Sequence, residues 1–573
     1  YAHDANGEPY AIAITNATQP GQSRVIEKGT KNEFYTVNLF SDYSRQLGDH
    51  YFKVMGGFNA EHQNVRTLSA QRDGIIVPDL PTIDTSTEQD VAGGGYNHWA
   101  TAGFFGRLNY NYKEKYLLEV NGRYDGTSRF MKDQRWNFFP SFSLGWNVAR
   151  ENFWKPLESV VNQFKLRGSW GELGNQNTSN LYPFYEILPV KSNSGNWLVN
   201  GGKTNTADIP SLVSTLLTWE RVRSFNVGFD FGAFSNRLTG SFDYFVRKTV
   251  DMVGPAPQLP LVLGIAPAIV NNADMKSYGF EIELSWRDRI GEVDYGVKFN
   301  LADAQQKVVK YPNTTNAFND WYAGKMSGEI WGYTSLGIAK TDEEMKEHLA
   351  SLPNGGQNQL GNKWGAGDIM YADINGDGKV DGGKGTLADP GDQRIIGNST
   401  PRYNFGLVLD ASYKGFDVSI FFQGVGKRDY APIVGTNGAV FWGAVNNIWQ
   451  SMAMEEHFDY FRPEGHPMGA NLNGYYPRPD FTSNKNHQVQ TRYLQDASYI
   501  RLKNLQIGYT LPKQWINKLH INRCRVYVSG DNLWTGTSLA SMFDPETLAA
   551  GDWGSGKTYP LSKVISFGLN VNF

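Results

Sequence analysis

The stretch Asp373-Ile374-Asn375-Gly376-Asp377-Gly378-Lys379-Val380-Asp381 sets hard oxygen donors at alternate positions. Asp373, Asn375 and Asp377 occupy positions 1, 3 and 5 of a calcium-loop pattern, and Gly378 at position 6 permits the sharp turn. Lys379 and Asp381 continue the donor run. The second half departs from the pattern. Position 12 is Lys384, which cannot ligate, so the closing carboxylate must come from beyond a Gly-rich insertion. Asp392 suits that role better than Asp389. The pattern predicts a structural Ca²⁺ that pins a loop, with a metal-free Asx-rich turn as the alternative.

A second chemistry-bearing set is aromatic. Trp321, Trp331, Trp364, Tyr371, Trp442, Trp449 and Tyr475 lie in segments without strand periodicity. Flat amphipathic rings stack on sugars or peptide side chains and are enriched at protein interfaces. They are the candidate contacts for a ligand or a covering partner, with packing among the loops as the competing explanation. Enzyme motifs are missing from the sequence: no G-x-S-x-G, no H-E-x-x-H, no P-loop, and only one cysteine, Cys524. No catalysis is predicted. The formal charge of −3 gives no sign of nucleic-acid binding.

The elements that carry these residues alternate with one phase. Leu118, Val120 and Tyr124 interleave with Glu119, Asn121, Arg123 and Asp125; Phe229 and Phe231 with Asp230; Ile282 and Leu284 with Glu281 and Glu283; Val297 and Phe299 with Lys298. A charge at every second position does not suit a packed soluble core, whereas a strand with one face in lipid and one in a wet lumen requires it. Arg123, Arg167, Asp230, Asp243, Glu281, Glu283 and Lys298 are therefore read as lumen-facing. Aromatics make up 14% of the chain, yet mean hydropathy is only −0.46, as a membrane barrel with polar lumen and loops predicts. The chain ends on Ile565-Ser566-Phe567-Gly568-Leu569-Asn570-Val571-Asn572-Phe573, an alternating strand. Leu569, Val571 and Phe573 resemble a C-terminal barrel-insertion signal.

About fifteen strands are predicted, all antiparallel, joined by short turns near 48, 113, 155, 234, 289, 414 and 517. Long loops are predicted at 63–97, 173–219, 251–274, 306–401, 428–496 and 535–560, on the extracellular side. Residues 1–33 are read as an extracellular segment and 34–573 as barrel. An odd strand count does not close a single-chain bacterial barrel, so further strands are expected from outside this sequence.

Several blocks identify a family. LNYNYKEKYLLEVNGRYDGTSRF (108–130), FPSFSLGWNVARENFW (139–154), GDIMYADINGDGKVD (367–381), YIRLKNLQIGYTLP (499–512) and VYVSGDNLWTGT (526–537) resemble the SusC/RagA family of TonB-dependent outer-membrane transporters of Bacteroidetes. The resemblance implies a barrel of the 22-stranded class with a plugged lumen, roughly seven of whose strands precede this chain. It also implies a plug and a TonB-binding segment upstream, a SusD-like lipoprotein lid, and transporter–lipoprotein pairs that dimerise. The implied setting is the bacterial outer membrane, in contact with its lipid and lipopolysaccharide. The implied activity is TonB-dependent import of an oligosaccharide or oligopeptide. A passive porin-like channel and a surface adhesin or assembly component are the alternatives.

Overall fold

A computed structural model describes residues 23–88, 90–176, 178, 180–254, 262, 264–265, 268–432, 439–443, 454–480, 484–517, 520–548 and 558–573. Its main element is one antiparallel sheet of 15 strands in which sequence neighbours are also hydrogen-bonded neighbours. In chain order they are β1 Arg24–Leu47, β2 His50–Asp73, β3 Asp90–Tyr112, β4 Tyr116–Thr127, β5 Trp136–Asn147, β6 Val161–Asn175, β7 Glu220–Ala233 and β8 Leu238–Gly254. There follow β9 Val270–Ile290, β10 Val293–Lys310, β11 Arg402–Tyr413, β12 Phe416–Lys427, β13 Tyr499–Thr510, β14 Arg523–Thr537 and β15 Val564–Asn572. β1 and β15 are the two ends of the sheet. No helix among the described residues is long and apolar enough to cross a membrane.

The alternating sequence translates directly into two faces. Register places Val120, Phe142, Trp170, Phe225 and Val246 in one row across β4 to β8. The adjoining row, on the other face, is Asn109, Glu119, Ser143, Ser169 and Asn226. The apolar rows are left uncovered: Leu39 is 64% exposed, Leu144 60% and Phe567 85%. Leu118, Phe229, Ile282 and Val571 are likewise not buried. An apolar face this continuous is stable only against lipid. Aromatic pairs stiffen it, with Phe142 and Trp170 centroids 5.2 Å apart and Phe416 and Tyr509 4.5 Å apart.

Most turns at one end are tight, the β5–β6 and β13–β14 connections (residues 148–160 and 511–522) being longer. Gly48 (φ 58°) and Gly291 (φ 61°) take the left-handed conformation that two-residue hairpins need. At the other end the connections are long, with one exception, residues 128–135 between β4 and β5. That connection is tied down by Phe130, which is buried with Phe139, Leu217 and Trp219.

Two expected boundaries are corrected. β1 starts at Arg24, so residues 24–33 are strand and not loop, and the predicted loop 63–97 shrinks to residues 74–89. β1 and β2 pair without interruption from Arg24↔Asp73 to Leu47↔His50. Above the bilayer both strand faces are wet, so the ladder continues on backbone hydrogen bonds after the hydrophobic alternation has stopped. The Arg24–Asp73 ion pair at 2.8 Å closes its top.

The molecule's largest buried apolar cluster lies outside this wall. The described residues of segments 311–401, 428–498 and 538–563 contribute a shared core of Ile369, Tyr371, Val380, Phe441, Trp442, Tyr493, Phe543 and Leu548. Within this loop body, helix α1 (Asp342–Ala350) is capped by Thr341, whose side chain accepts from the Glu344 N–H, and anchored by buried Met345.

Candidate functional site

Two surfaces carry the polar chemistry: the lumen wall and the loop body above it. On the wall, Arg167 of β6 donates to Asp230 of β7 at 3.1 Å and, through both terminal nitrogens, to Asp243 of β8 at 2.5 Å. Glu119 accepts from Asn109 at 2.5 Å and Asn121 at 2.9 Å, and Arg123 pairs with Asp125 at 2.8 Å. Glu281, Glu283 and Lys298 are exposed on the same face. The Arg167 and Asn109–Glu119 contacts lock neighbouring strands together, and the uncovered charges keep the hollow wet. Glu283, Lys298 and Asn300 line a groove of about 630 Å³.

The loop body is organised by a buried ionic centre that sequence reading missed. Asp368, fully buried, accepts from Arg478 at 2.6 and 2.7 Å, Lys485 at 2.9 Å, Asn486 at 2.9 Å and the Gly365 N–H at 2.9 Å. A second clasp joins this body to the wall. Arg501 of β13 reaches Asp544 at 2.8 Å and Glu546 at 2.5 Å, and Lys503 reaches Glu546 at 2.7 Å. The side-chain partners of Asp368 stand more than a hundred positions away in the chain. No local spacing could have signalled them.

The predicted ligand or lid aromatics separate into three groups. Tyr371 and Trp442 are corrected to core residues: they are 0% and 1% exposed, and the Trp442 indole donates to the Pro432 carbonyl. Trp331, Trp364 and Tyr475 are partly buried. Trp331 stacks on Phe318 at 4.5 Å, Trp364 lies under the Lys485 ammonium at 5.0 Å, and the Tyr475 hydroxyl accepts from Gln495 at 2.9 Å. Trp321 is 38% exposed and alone of the described six keeps a substantial free face. Trp449 lies outside the described residues.

The Asp-rich loop is held by its own hydrogen bonds. Asp373 accepts from the Gly376 and Gly378 N–H groups at 2.6 and 2.8 Å, and Asn375 from the Asp377 N–H at 2.9 Å. Asp392 does close the loop, but by accepting from the N–H groups of Ile374 at 2.8 Å and Asp381 at 2.7 Å. Burial pushes the Asp392 carboxyl above its ordinary value. The Lys379 ammonium stands 2.6 Å from Asp381 and holds that carboxyl below the usual range. Among the described residues no three acidic, His or Cys side chains converge as a metal site. The carboxylates and the Asn375 amide accept from backbone N–H groups of their own loop, which forms an Asx network. Millimolar calcium and EDTA are expected to leave the thermal transition of the loop body unshifted. A stabilisation that saturates with calcium would contradict this.

His487 gives the loop body a pH dependence. It is 3% exposed, its ring lies 4.6 Å from that of Trp442, and neither ring nitrogen has a hydrogen-bond partner among the described residues. Burial lowers its pKa from 6.5 to about 4, against a smaller opposing pull from Asp480. Below pH 6.5 the unfolded chain takes up a proton that the folded body refuses, so stability falls as pH drops from 6.5 towards about 4. The expected loss is roughly 3 kcal/mol. Trp fluorescence during thermal unfolding at several pH values should show it, and His487→Gln should flatten the profile.

At the C-terminus, Leu569 and Val571 pair with Val526 and Cys524 of β14, and Phe573 follows the last strand 84% exposed.

With wall, roof and wet hollow described, comparison with known proteins is decisive. Residues 2–533 match the family described as "TonB dependent receptor-like, beta-barrel". The chain belongs to that family. As a TonB-dependent receptor barrel it resides in the bacterial outer membrane, its uncovered apolar rows against lipid. The family is one of receptors and transporters. Among curated relatives it is 28% identical to TonB-dependent receptor P3 of Formosa agariphila, over 94% of this chain and 52% of that protein. It is 24% identical to TonB-dependent receptor SusC of Bacteroides thetaiotaomicron, over 94% of this chain and 50% of the relative. The barrel also superposes on the structure of the RagAB peptide transporter with a TM-score of 0.75 and 21% identity, covering 96% of this chain and 56% of that one. The chain thus spans about half the length of the relatives it matches.

Proposed function

We propose that this chain forms the wall and outer loops of a TonB-dependent importer that admits an oligosaccharide or oligopeptide across the outer membrane together with a SusD-like lipoprotein. The observation that carries this reading is the unbroken wet inner wall of 15 strands beneath a packed extracellular loop body. Among the described residues β1 and β15 have no further partner strand, and such edges cannot face lipid with unpaired backbone groups, which supports additional partner strands. The plug and TonB-binding segment are assigned to the portion that supplies those strands. Similarity to SusC and to the RagAB peptide transporter supports import over a passive channel, and the latter supports a peptide cargo.

A lid needs a landing surface. In the outer loop between β6 and β7, Tyr185, Val190, Trp197, Leu198 and Ile209 are each at least 60% exposed, more apolar area than a free surface loop retains without a partner. This supports lipoprotein contact there and, in the family arrangement, a dimer of transporter–lipoprotein pairs. The test is uptake of labelled oligopeptides and oligosaccharides by cells carrying the full-length transporter, with and without TonB. Import should vanish without TonB and without the lipoprotein. Flux that persists in both deletions would favour the channel; surface attachment without uptake would favour the adhesin.

A further inference from the structure

Four cations line up across four neighbouring strands on the lipid side of the wall. Arg223 of β7 is in register with Lys248 of β8, Lys248 with Lys276 of β9, and Lys276 with Lys307 of β10. Their direction follows from parity. The next row on the same face is Phe225, Val246, Tyr278 and Gln305, which continues the apolar belt on three of the four strands, whereas the intervening row of Ser224, Arg247, Ser277 and Gln306 faces the lumen. The pairings run without a shift from this stripe down to the tight turns, through Ala233↔Leu238 and Ile290↔Val293, so the parity holds throughout.

Height follows from strand geometry. From Leu238, at the tight-turn end of β8, to Lys248 the chain rises roughly 25 Å, taking ~3.3 Å per residue and a tilt of ~40°. That is the height of the apolar band of such a barrel, so the stripe stands where the headgroups of the outer leaflet begin.

The arrangement is costly as it stands. Like charges directly opposite each other destabilise antiparallel pairs, and here three such pairs follow in sequence. The carboxylates within reach are already engaged. Glu172 holds Arg223 at 2.7 Å and Arg221 at 3.6 Å, Asp303 is clamped by Arg402, and Asp274 accepts from the Asp251 N–H at 3.0 Å. Among the described residues Lys248, Lys276 and Lys307 make no ion pair, and Lys276 rests over the Tyr278 ring at 5.1 Å. A multivalent anion bridging the stripe would turn the repulsion into attraction. At this height, on this face, the neighbours are lipids.

We propose that Arg223, Lys248, Lys276 and Lys307 form a docking stripe for the phosphorylated headgroup of an outer-leaflet lipid. Basic side chains hold the phosphate, and Tyr278 with the row below it packs against the lipid's acyl and sugar portions. Docking fixes the height of the barrel in the bilayer and shields four strands from mutual repulsion. Each lysine is expected to contribute about fivefold to binding, so removing three should weaken it on the order of a hundredfold.

The test uses the full-length transporter with its partner, in nanodiscs of phosphatidylcholine with or without phosphorylated lipid A. Native mass spectrometry would count lipid A retained per transporter at rising salt. The wild type should retain it in preference to phosphatidylcholine. The triple variant Lys248→Gln/Lys276→Gln/Lys307→Gln should lose it, and the triple Arg variant should keep it. Heat-modifiable mobility establishes that each barrel is intact. Equal retention by the Gln variant, equal retention of dephosphorylated lipid A, complete displacement by millimolar inorganic phosphate, or crosslinks from these lysines into a protein partner would each overturn the proposal.

Discussion

Asp368→Ala should unfold the extracellular loop body while leaving the strand wall paired. Asp368 is fully buried and balances Lys485, itself 1% exposed, and the Arg478 guanidinium. Removing one partner of a buried ion pair strands the other charge without water, at a cost of about 3–5 kcal/mol. Lys485 keeps the carbonyls of Asn362 at 3.1 Å and Lys363 at 3.0 Å and a longer contact with the Asp480 carboxylate at 3.8 Å, which offset only part of the loss. The loss should therefore spread through the segments that Asp368 joins, residues 362–371 and 478–490, which carry Tyr371 and His487 of the same core. Limited proteolysis should cut the loops of the variant and spare the strands, and the loop transition seen by Trp442 fluorescence should fall or vanish. Asp368→Asn combined with Lys485→Met should recover part of the loss, because an apolar replacement of the pair removes the stranded charge. An unchanged transition in the Ala variant would mean that the centre is not what holds the roof together.

Phe142→Arg should prevent or strongly impair insertion of the barrel, whereas Ser143→Arg should be nearly neutral. The two residues are adjacent in β5 and point in opposite directions. Phe142 lies in the apolar row between Val120 and Trp170 and is 46% exposed, while Ser143 lies between Glu119 and Ser169 on the lumen wall. An arginine on the lipid face near the bilayer midplane costs about 2–4 kcal/mol, while lumen positions are hydrated and tolerate charge. Equilibrium folding into lipid vesicles, followed by heat-modifiable mobility, compares the two directly. Equal penalties at both positions would show that the outer row does not face lipid, and the membrane assignment would fail with it.

The strands were readable because a membrane wall imposes its solvent on every second residue. Leu118, Val120, Phe229 and Ile282 announce one face and Glu119, Asp230 and Glu281 the other, and period 2 survives in the sequence without any knowledge of pairing partners. Reading stopped where that constraint stops. The extensions of β1 to Arg24 and of β2 to Asp73 stand above the lipid, where both faces are wet and only backbone hydrogen bonds define the strand. The roof was less legible still. Trp331, Tyr371 and Trp442 look alike in sequence, yet one stacks on Phe318 and two are sealed in a core. The Asp373 motif shows the same limit, because the sequence does not reveal that its oxygens accept from backbone N–H groups of their own loop or that Asp392 reaches back to Ile374.

Sequence alone thus determined the architecture and the family, since lipid, lumen and turn each demand local residue types at fixed period. Tertiary structure decided what distant residues do to one another: the Asp368 centre, the loop core and the lysine stripe. The first two join residues more than a hundred positions apart, and the third depends on strand register, which is a property of pairing and not of any single strand.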